Sequence, residues 1–306
     1  MLYFIVNPKS RTGKGLEIWR RVKAYLKEQC ISYRALATEY EGHGTILAEQ
    51  LCEGVKDRVK LVVIGGDGTI NEVINGITDF SKINLGVIPT GSGNDFARGL
   101  GIKGDPIEQL KKLVNSQETE NIDIGKVSFS KGEYPRYFAI SSGVGLDAIV
   151  CKKALTSKLK KFLNKIHLGK LTYLILTVQT LFSMTTADMK VKIDGEVRGL
   201  NKVIFVAAMN FRAEGGGVPM APKADAKDGL LSVCMVHGIP KWRTFFCLPL
   251  LCLAKHEKIK GFEIVNCKKC QIEISESMVL HSDGEYCDDV STVTFECIPD
   301  KLHIIV

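Results

Sequence analysis

Apolar residues gather into short unbroken runs in the first part of this chain and into alternating patterns in the second. Residues 2–6, 61–64 and 85–88 form compact apolar runs, which suit strands buried on both faces. Between them, residues 15–29, 44–55, 69–78 and 105–115 repeat apolar side chains at helical spacing, as Ile70, Val73, Ile74 and Ile77 do. This βα alternation predicts an α/β fold class for residues 1–124, a doubly wound domain with a parallel sheet and helices on both faces. Beyond it the period changes to two, at 137–140, 189–194, 202–207, 231–236 and 271–274. An antiparallel β-sandwich-like domain over 125–294 is the expectation. Asp194-Gly195-Glu196 marks a hairpin turn within it. The terminal run 302–306 reads as a strand, so 295–306 is assigned as a segment returning to the first domain.

The junctions between the parallel strands and their helices carry the candidate chemistry. Gly65-Gly66-Asp67-Gly68-Thr69 follows one apolar run and opens a helical segment, and Asn71 and Glu72 extend it. Glycines let the backbone come close to a ligand, and the N–H groups at a helix start attract anions. A lone Asp67 there repels a bare phosphate. It suits a divalent cation lying between carboxylate and phosphate, and so a metal–nucleotide complex. Such a pentapeptide alone is equally a tight turn. Two further junctions change that balance: Asn7-Pro8-Lys9-Ser10-Arg11-Thr12-Gly13-Lys14-Gly15, and Pro89-Thr90-Gly91-Ser92-Gly93-Asn94-Asp95-Phe96. In an open parallel sheet all three emerge at the carboxyl edge, where ligands bind. No Walker A loop is present, so phosphates fall to the Asn7 loop, residues 7–11, and to glycines 65, 66 and 68. A second acidic motif, Asp283-Gly284-Glu285, offers two carboxylates about a glycine. If the segment is extended, residues i and i+2 face the same way. A plain Asp-Gly hairpin turn is its other reading.

Composition narrows the partners. The 306 residues are 45% apolar and 25% charged, ordinary globular values, and ten scattered cysteines suit free thiols. Cys267-Lys268-Lys269-Cys270 has the spacing of half a zinc site but lacks a matching second pair, and the alternation through Ile274 makes Cys270 an inward-facing strand residue. Residues 1–124 carry sixteen basic and sixteen acidic side chains, so the whole net charge of +7 lies beyond them. Seven lysines between Lys152 and Lys170 alternate with Leu155, Leu159, Phe162, Leu163 and Ile166, a basic amphipathic helix suited to an anionic membrane surface or simply to solvent. No nucleic-acid motif is present, and the short N-terminal run is neither signal peptide nor span, which leads to a cytoplasmic placement.

The sequences NPKSRTGKG, GGDGTINEVING and PTGSGNDFARGLG together resemble the catalytic domain of diacylglycerol kinases, most closely the soluble bacterial lipid kinases. The likeness continues through Asn121-Ile122-Asp123-Ile124-Gly125, residues 225–230 and Asp283-Gly284-Glu285. Arg11 stands where that family usually has glycine, and Gly44 where it has alanine. The resemblance implies ATP and Mg²⁺ as cofactors and a neutral lipid such as diacylglycerol as acceptor, met at the membrane surface; a homodimer is left open. It implies that Thr38 and Ser92 contact the nucleotide and that Glu285, ahead of Asp283, accepts the hydroxyl proton. It further implies that Asp225, Asp228 and the carbonyl of Leu230 hold a structural Mg²⁺. The apolar segments 171–184 and 245–254 are too short to span a bilayer and read as core or cleft-lining helices, one of which could line a lipid entry. His43 and His281 read as hydrogen-bonding neighbours. NAD kinase, which shares GGDGT, and an inactive lipid or nucleotide sensor of the same fold are the alternatives.

Overall fold

The computed structural model describes residues 1–130, 132, 134–156 and 169–305, with side chains at 155–156 and 169–173 left aside. The chain divides into two compact units, 1–124 with 299–306, and 125–298.

The first unit runs β1 (Leu2–Val6), α1 (Ser10–Glu28), β2 (Tyr33–Ala37), α2 (His43–Gly54), β3 (Val59–Gly65), α3 (Asp67–Gly76), β4 (Ile83–Pro89), α4 (Asp95–Gly99) and α5 (Pro106–Asn115), before β5 (Thr119–Phe129). The strands pair in parallel in the order β4-β3-β1-β2. The end of the long last strand, β14 (Glu285–Ile305), adds in parallel to β4 through His303 and Ile304. On one face Phe4, Val6, Val62 and Ile64 pack against Ile18, Val22 and Leu26 of α1 and Leu110 and Leu113 of α5. The alternate residues Ile5, Leu61 and Val63 are fully buried too, and α2 and α3 pack together against β1 and β3. Both faces are thus covered, which is why these strands read as continuous apolar runs. Each fully buried aliphatic or aromatic side chain here is worth about 1.5–3 kcal/mol. β2 escapes the sequence pattern because four of its five residues are exposed.

The second unit is antiparallel. Its strands are β6 (Arg136–Phe138), β7 (Ser141–Gly145), β8 (Ala187–Ile193), β9 (Glu196–Val203), β10 (Phe205–Met209), β11 (Leu231–Val236), β12 (Phe262–Cys267) and β13 (Lys269–Ser282). Its helices are α6 (Leu146–Thr156), α7 (Gly169–Ser183) and α8 (Lys241–Cys252). One sheet runs β12-β11-β10-β7-β13. β13 is shared: Cys270–Ile274 pair with β8, whereas Leu280–Ser282 pair with β7. A register shift between Glu273 and Met278 marks the change of partner, as bulges do where a strand leaves one sheet for another. Asp194 and Gly195 form the two-residue turn between β8 and β9, both with positive φ. The expected single strand over 202–207 is two. Lys202 takes φ of 52°, so β9 ends at Val203 and β10 begins at Phe205. Among the described residues no helix is long and apolar enough to cross a membrane.

The returning strand is tied down by a buried carboxylate. Asp123, 1% exposed, accepts the Asp300 N–H at 2.9 Å. A buried donor left without its partner costs about 1–3 kcal/mol. Asp123→Ala should therefore lower unfolding stability in urea by that amount and speed amide exchange at 302–305. Unchanged exchange there would show that the strand is held by its ladder alone.

Candidate active site

Three loops of the first unit meet because the parallel ladder continues past the strand ends. Asn7 N–H donates to the carbonyl of Ile64, Thr38 N–H to that of Val6 and Thr90 N–H to that of Gly65, each at 2.8 Å. Side chains then cross-link the loops. Asn7 Nδ2 donates to Thr69 Oγ1 at 2.9 Å, and the buried hydroxyls of Ser10 and Thr90 lie 2.6 Å apart. Gly66 and Gly91 pack backbone to backbone; a Cβ on Gly91 would come within 2.8 Å of the Gly66 Cα. Asn7, Ser10, Thr38, Gly65, Gly66 and Thr69 are thereby gathered at one sheet edge.

The remaining expected residues take definite places around this edge. Pro8 is half-buried, while Lys9, Arg11 and Ser92 are exposed. Lys9 Nζ donates to the carbonyl of Glu39 at 2.8 Å, and its amide donates to Asn7 Oδ1. Arg11, Thr12 and Gly13 have φ of 43°, 58° and 94°, so regular helix in α1 starts only after them. Arg11 thus keeps the left-handed turn that glycine would make freely, at a cost of about 1–2 kcal/mol. Asp67 receives the amides of Asp95 and Phe96, both at 3.1 Å, and so holds the start of α4. Burial pushes its carboxyl above the ordinary range, opposed by the amides of Phe96 and Asn94 and by Arg98. Gly68 lies half-buried beside it. Glu72 takes the amides of Gly42 and Gly44 at 2.9 Å and fastens the start of α2 to α3. A Cβ at residue 44 would stand 2.7 Å from the Glu72 carboxylate, which is what glycine there accommodates. Asn71 is buried, with its carbonyl and side chain accepting from Asn75 Nδ2.

In the second unit Asp283 and Gly284, with φ of 48° and 83°, are the turn between β13 and β14, and Ser282 pairs with Glu285. The segment is not extended, so the two carboxylates do not share a face by strand periodicity. Asp283 is buried and accepts three amides, from Ala139 at 2.9 Å, Ile140 at 2.8 Å and Ser141 at 3.0 Å. Glu285 opens β14 and is half-buried. Beside the turn stands a cluster that the sequence reading missed. Asp147, Glu214 and His281 bring ligand-type atoms within 4.8 Å of one another, the grouping of this kind among the described residues. His281 Nε2 lies 3.0 Å from Asp147 Oδ2, Ser141 Oγ donates to Glu214, and Gly284 N–H donates to His281 Nδ1 at 3.2 Å. These bonds leave Asp147 Oδ1 buried without a hydrogen-bond partner. Asp147 follows the glycine-bearing end of β7 and Glu214 precedes three glycines, the only local signals either residue gave.

Asp225 and Asp228 lie exposed on one turn, where Asp225 accepts the Lys227 amide at 3.2 Å and Asp228 that of Leu230 at 2.9 Å. Much of the lysine-rich stretch lies outside the described residues. Of its described members, Lys152 pairs with Asp289 at 3.0 Å and sits 4.0 Å over the Tyr286 ring, and Lys153 donates to Thr180. These two are engaged within the unit.

The family model described as "Diacylglycerol kinase catalytic domain" matches residues 1–127, and "YegS C-terminal NAD kinase beta sandwich-like domain" matches 140–306. The chain belongs to the diacylglycerol kinase family. This kinase is 31% identical over 286 residues to the "Putative lipid kinase YtlR" of Bacillus subtilis (strain 168), covering 92% of each chain. It is 29% identical to a diacylglycerol kinase of the same organism, over 92% of this chain and 88% of the relative. In fold it resembles a "putative diacylglycerol kinase" from Bacillus anthracis str. Sterne, with a TM-score of 0.77 at 22% identity over 99% and 96% of the chains. An NAD kinase from Archaeoglobus fulgidus in complex with ATP shares the fold with a TM-score of 0.55 at 15% identity, over 100% of this chain and 94% of that one.

The His281 cluster gives the kinase a titration within its fold. Burial, the largest influence, opposes charge on the ring, but the hydrogen bond to Asp147 and the charges of Asp147, Glu214 and Asp283 outweigh it and hold the imidazole at about 9, against an ordinary 6.5. Burial likewise pushes the Glu214 carboxyl up. The Gly284 N–H bond at Nδ1 belongs to the neutral ring, and the two-proton form that prevails below about 9 gives it up. The folded state binds this proton more tightly than the unfolded chain, so the stabilisation is full below pH 6.5 and is lost as pH rises through about 9. Urea stability should fall across that window, and His281→Gln should flatten the fall. Equal slopes in both proteins would assign the titration to other groups.

Proposed function

We propose that the kinase transfers the γ-phosphate of ATP, with Mg²⁺, to a hydroxyl of diacylglycerol or a related neutral lipid, as a cytoplasmic enzyme meeting its acceptor at the membrane surface. The observation that carries this reading is the gathering of the Asn7, Gly65–Thr69 and Pro89–Asn94 loops at one sheet edge, with the single carboxylate of Asp67 among them. Relatives named lipid kinase and diacylglycerol kinase along 92% of the chain favour a lipid acceptor over NAD.

In this mechanism the backbone of residues 7–11 and of glycines 65, 66 and 68 holds phosphate oxygens, with Thr69, Asn71 and Glu72 bracing that cradle and Thr38 and Ser92 touching the nucleotide. Mg²⁺, when bound, neutralises charge on the transferring phosphoryl group. Asp67 spends its carboxylate partly on two amides, and each oxygen retains acceptor capacity for a metal-bound water. Glu285 takes the proton from the acceptor hydroxyl. Asp283, whose oxygens already receive three amides, positions the turn. Asp225, Asp228 and the Leu230 carbonyl offer the all-oxygen donor set that a structural Mg²⁺ takes.

Transfer of label from γ-labelled ATP to a panel of neutral lipids, sphingoid bases and NAD tests the reading; label on NAD alone would overturn it. Removing a general base costs about 10²–10⁴-fold, so Glu285→Gln should lower kcat by that order with ATP binding nearly unchanged. A change confined to ATP binding would take Glu285 out of this role. Asp67→Asn keeps an acceptor for one of the two α4 amides and loses the charge. It should reduce kcat/KM by roughly 10²-fold, equivalent to about 3 kcal/mol, and raise the Mg²⁺ concentration needed. Wild-type metal dependence in this variant would remove Asp67 from the metal's environment.

A further inference from the structure

Helix α8 is apolar on both of its faces. Thr244, Cys247, Leu248 and Leu251 are buried against the second unit, while Trp242, Phe246 and Leu253 on the opposite face are 61%, 69% and 63% exposed, with Leu250 beside them. The stripe does not stand alone. Phe182 of α7 packs its ring 5.9 Å from Phe245, which stands 5.3 Å from Phe246, and Lys241 Nζ donates to the carbonyl of Met184 just past α7. Phe182 and Leu174 of α7 are themselves exposed. Five of the thirteen exposed large apolar side chains among the described residues therefore sit on this one helix pair, and a sixth, Leu253, directly follows it. Scattered exposed apolar side chains need no account, but a contiguous face of this size marks an interaction surface.

Charge chooses the occupant. Neither α7 nor α8 contains an acidic residue. Arg243 on α8 and Lys255, Lys258 and Lys260 in the segment after it are exposed, and Glu257 among them is paired with Lys223. An apolar stripe carrying tryptophan and phenylalanine, on helices that hold no carboxylate and are followed by exposed cations, has the chemistry of an element lying in the interface of an anionic bilayer. We propose that the α7–α8 face, led by Trp242 and Phe246, inserts into the surface of an anionic membrane and docks the kinase there. The proposal rests on the reading of the protein as a lipid kinase, whose acceptor resides in such a surface. It moves the main contact from the lysine-rich stretch to α8.

The test uses the full chain with Trp19→Phe, which leaves Trp242 as its one tryptophan. The probes are phosphatidylcholine vesicles with and without phosphatidylserine, and matching vesicles with brominated acyl chains. Trp242 emission should shift to the blue on the phosphatidylserine vesicles and be quenched by the brominated chains. Phe246→Glu should weaken vesicle binding about tenfold or more, with an unchanged thermal midpoint and unchanged turnover on detergent-dispersed lipid. Vesicle binding that leaves Trp242 emission unshifted and unquenched would overturn the proposal. So would vesicle binding by Phe246→Glu equal to the parent, or a dimer in sedimentation that Phe246→Glu splits while vesicle binding persists. Failure to phosphorylate any lipid in detergent would sink the kinase reading separately, because the fluorescence result requires no turnover.

Discussion

Three backbone hydrogen bonds just past the strand ends organise the first unit of this kinase. Asn7 to Ile64, Thr38 to Val6 and Thr90 to Gly65 continue the parallel ladder into the loops. Without them the three loops would be separate surface turns, each free to choose its own path. With them, Asn7 reaches Thr69 and Ser10 reaches Thr90. The close packing of Gly66 on Gly91 then follows, and side chains at either position would push the loops apart. The small residues here serve the approach of one loop to another as well as any approach to phosphate.

Carboxylates recur as clamps on backbone amides throughout the molecule. Asp67 holds the start of α4, Glu72 the start of α2, Asp123 the returning strand and Asp283 the 139–141 segment. Asp194 does the same for Lys268 and Lys269 from the other two-residue turn. An ionised acceptor strengthens such a bond to roughly twice a neutral one, which suits places where a loop must be held without a core beneath it. It also means that an acidic residue inside a motif can be architectural, chemical or both. Asp283, with three amide donors, serves architecture in this sense.

The first unit was legible because its strands are buried on both faces and its loops are rich in glycine, so both features are local in sequence. Residues 61–64 and 85–88 announced β3 and β4 to within two residues at their starts and one at their ends. β2 was silent because its side chains are mostly exposed. The break at Lys202 and the left-handed Arg11 could not be read, since neither residue type marks a positive φ. The Asp147–Glu214–His281 cluster was missed for a different reason. Its members stand 134 residues apart in the case of Asp147 and His281, and the pairing of β7 with both β13 and β10 brings their segments together.

That pairing explains why the acidic turn can be a precise element although it ends a hairpin. β13 changes its partner from β8 to β7 at the register shift, so its last three residues are paired with β7 on one edge and lie opposite β14 on the other. A hairpin tip is ordinarily among the least constrained parts of a sheet. Here the tip is gripped from both sides, then a third time by Asp283 against the 139–141 amides and a fourth by His281 against the Gly284 N–H. The His281 grip on Gly284 belongs to the neutral ring, and the second proton carried below about 9 removes that acceptor from the glycine between Asp283 and Glu285.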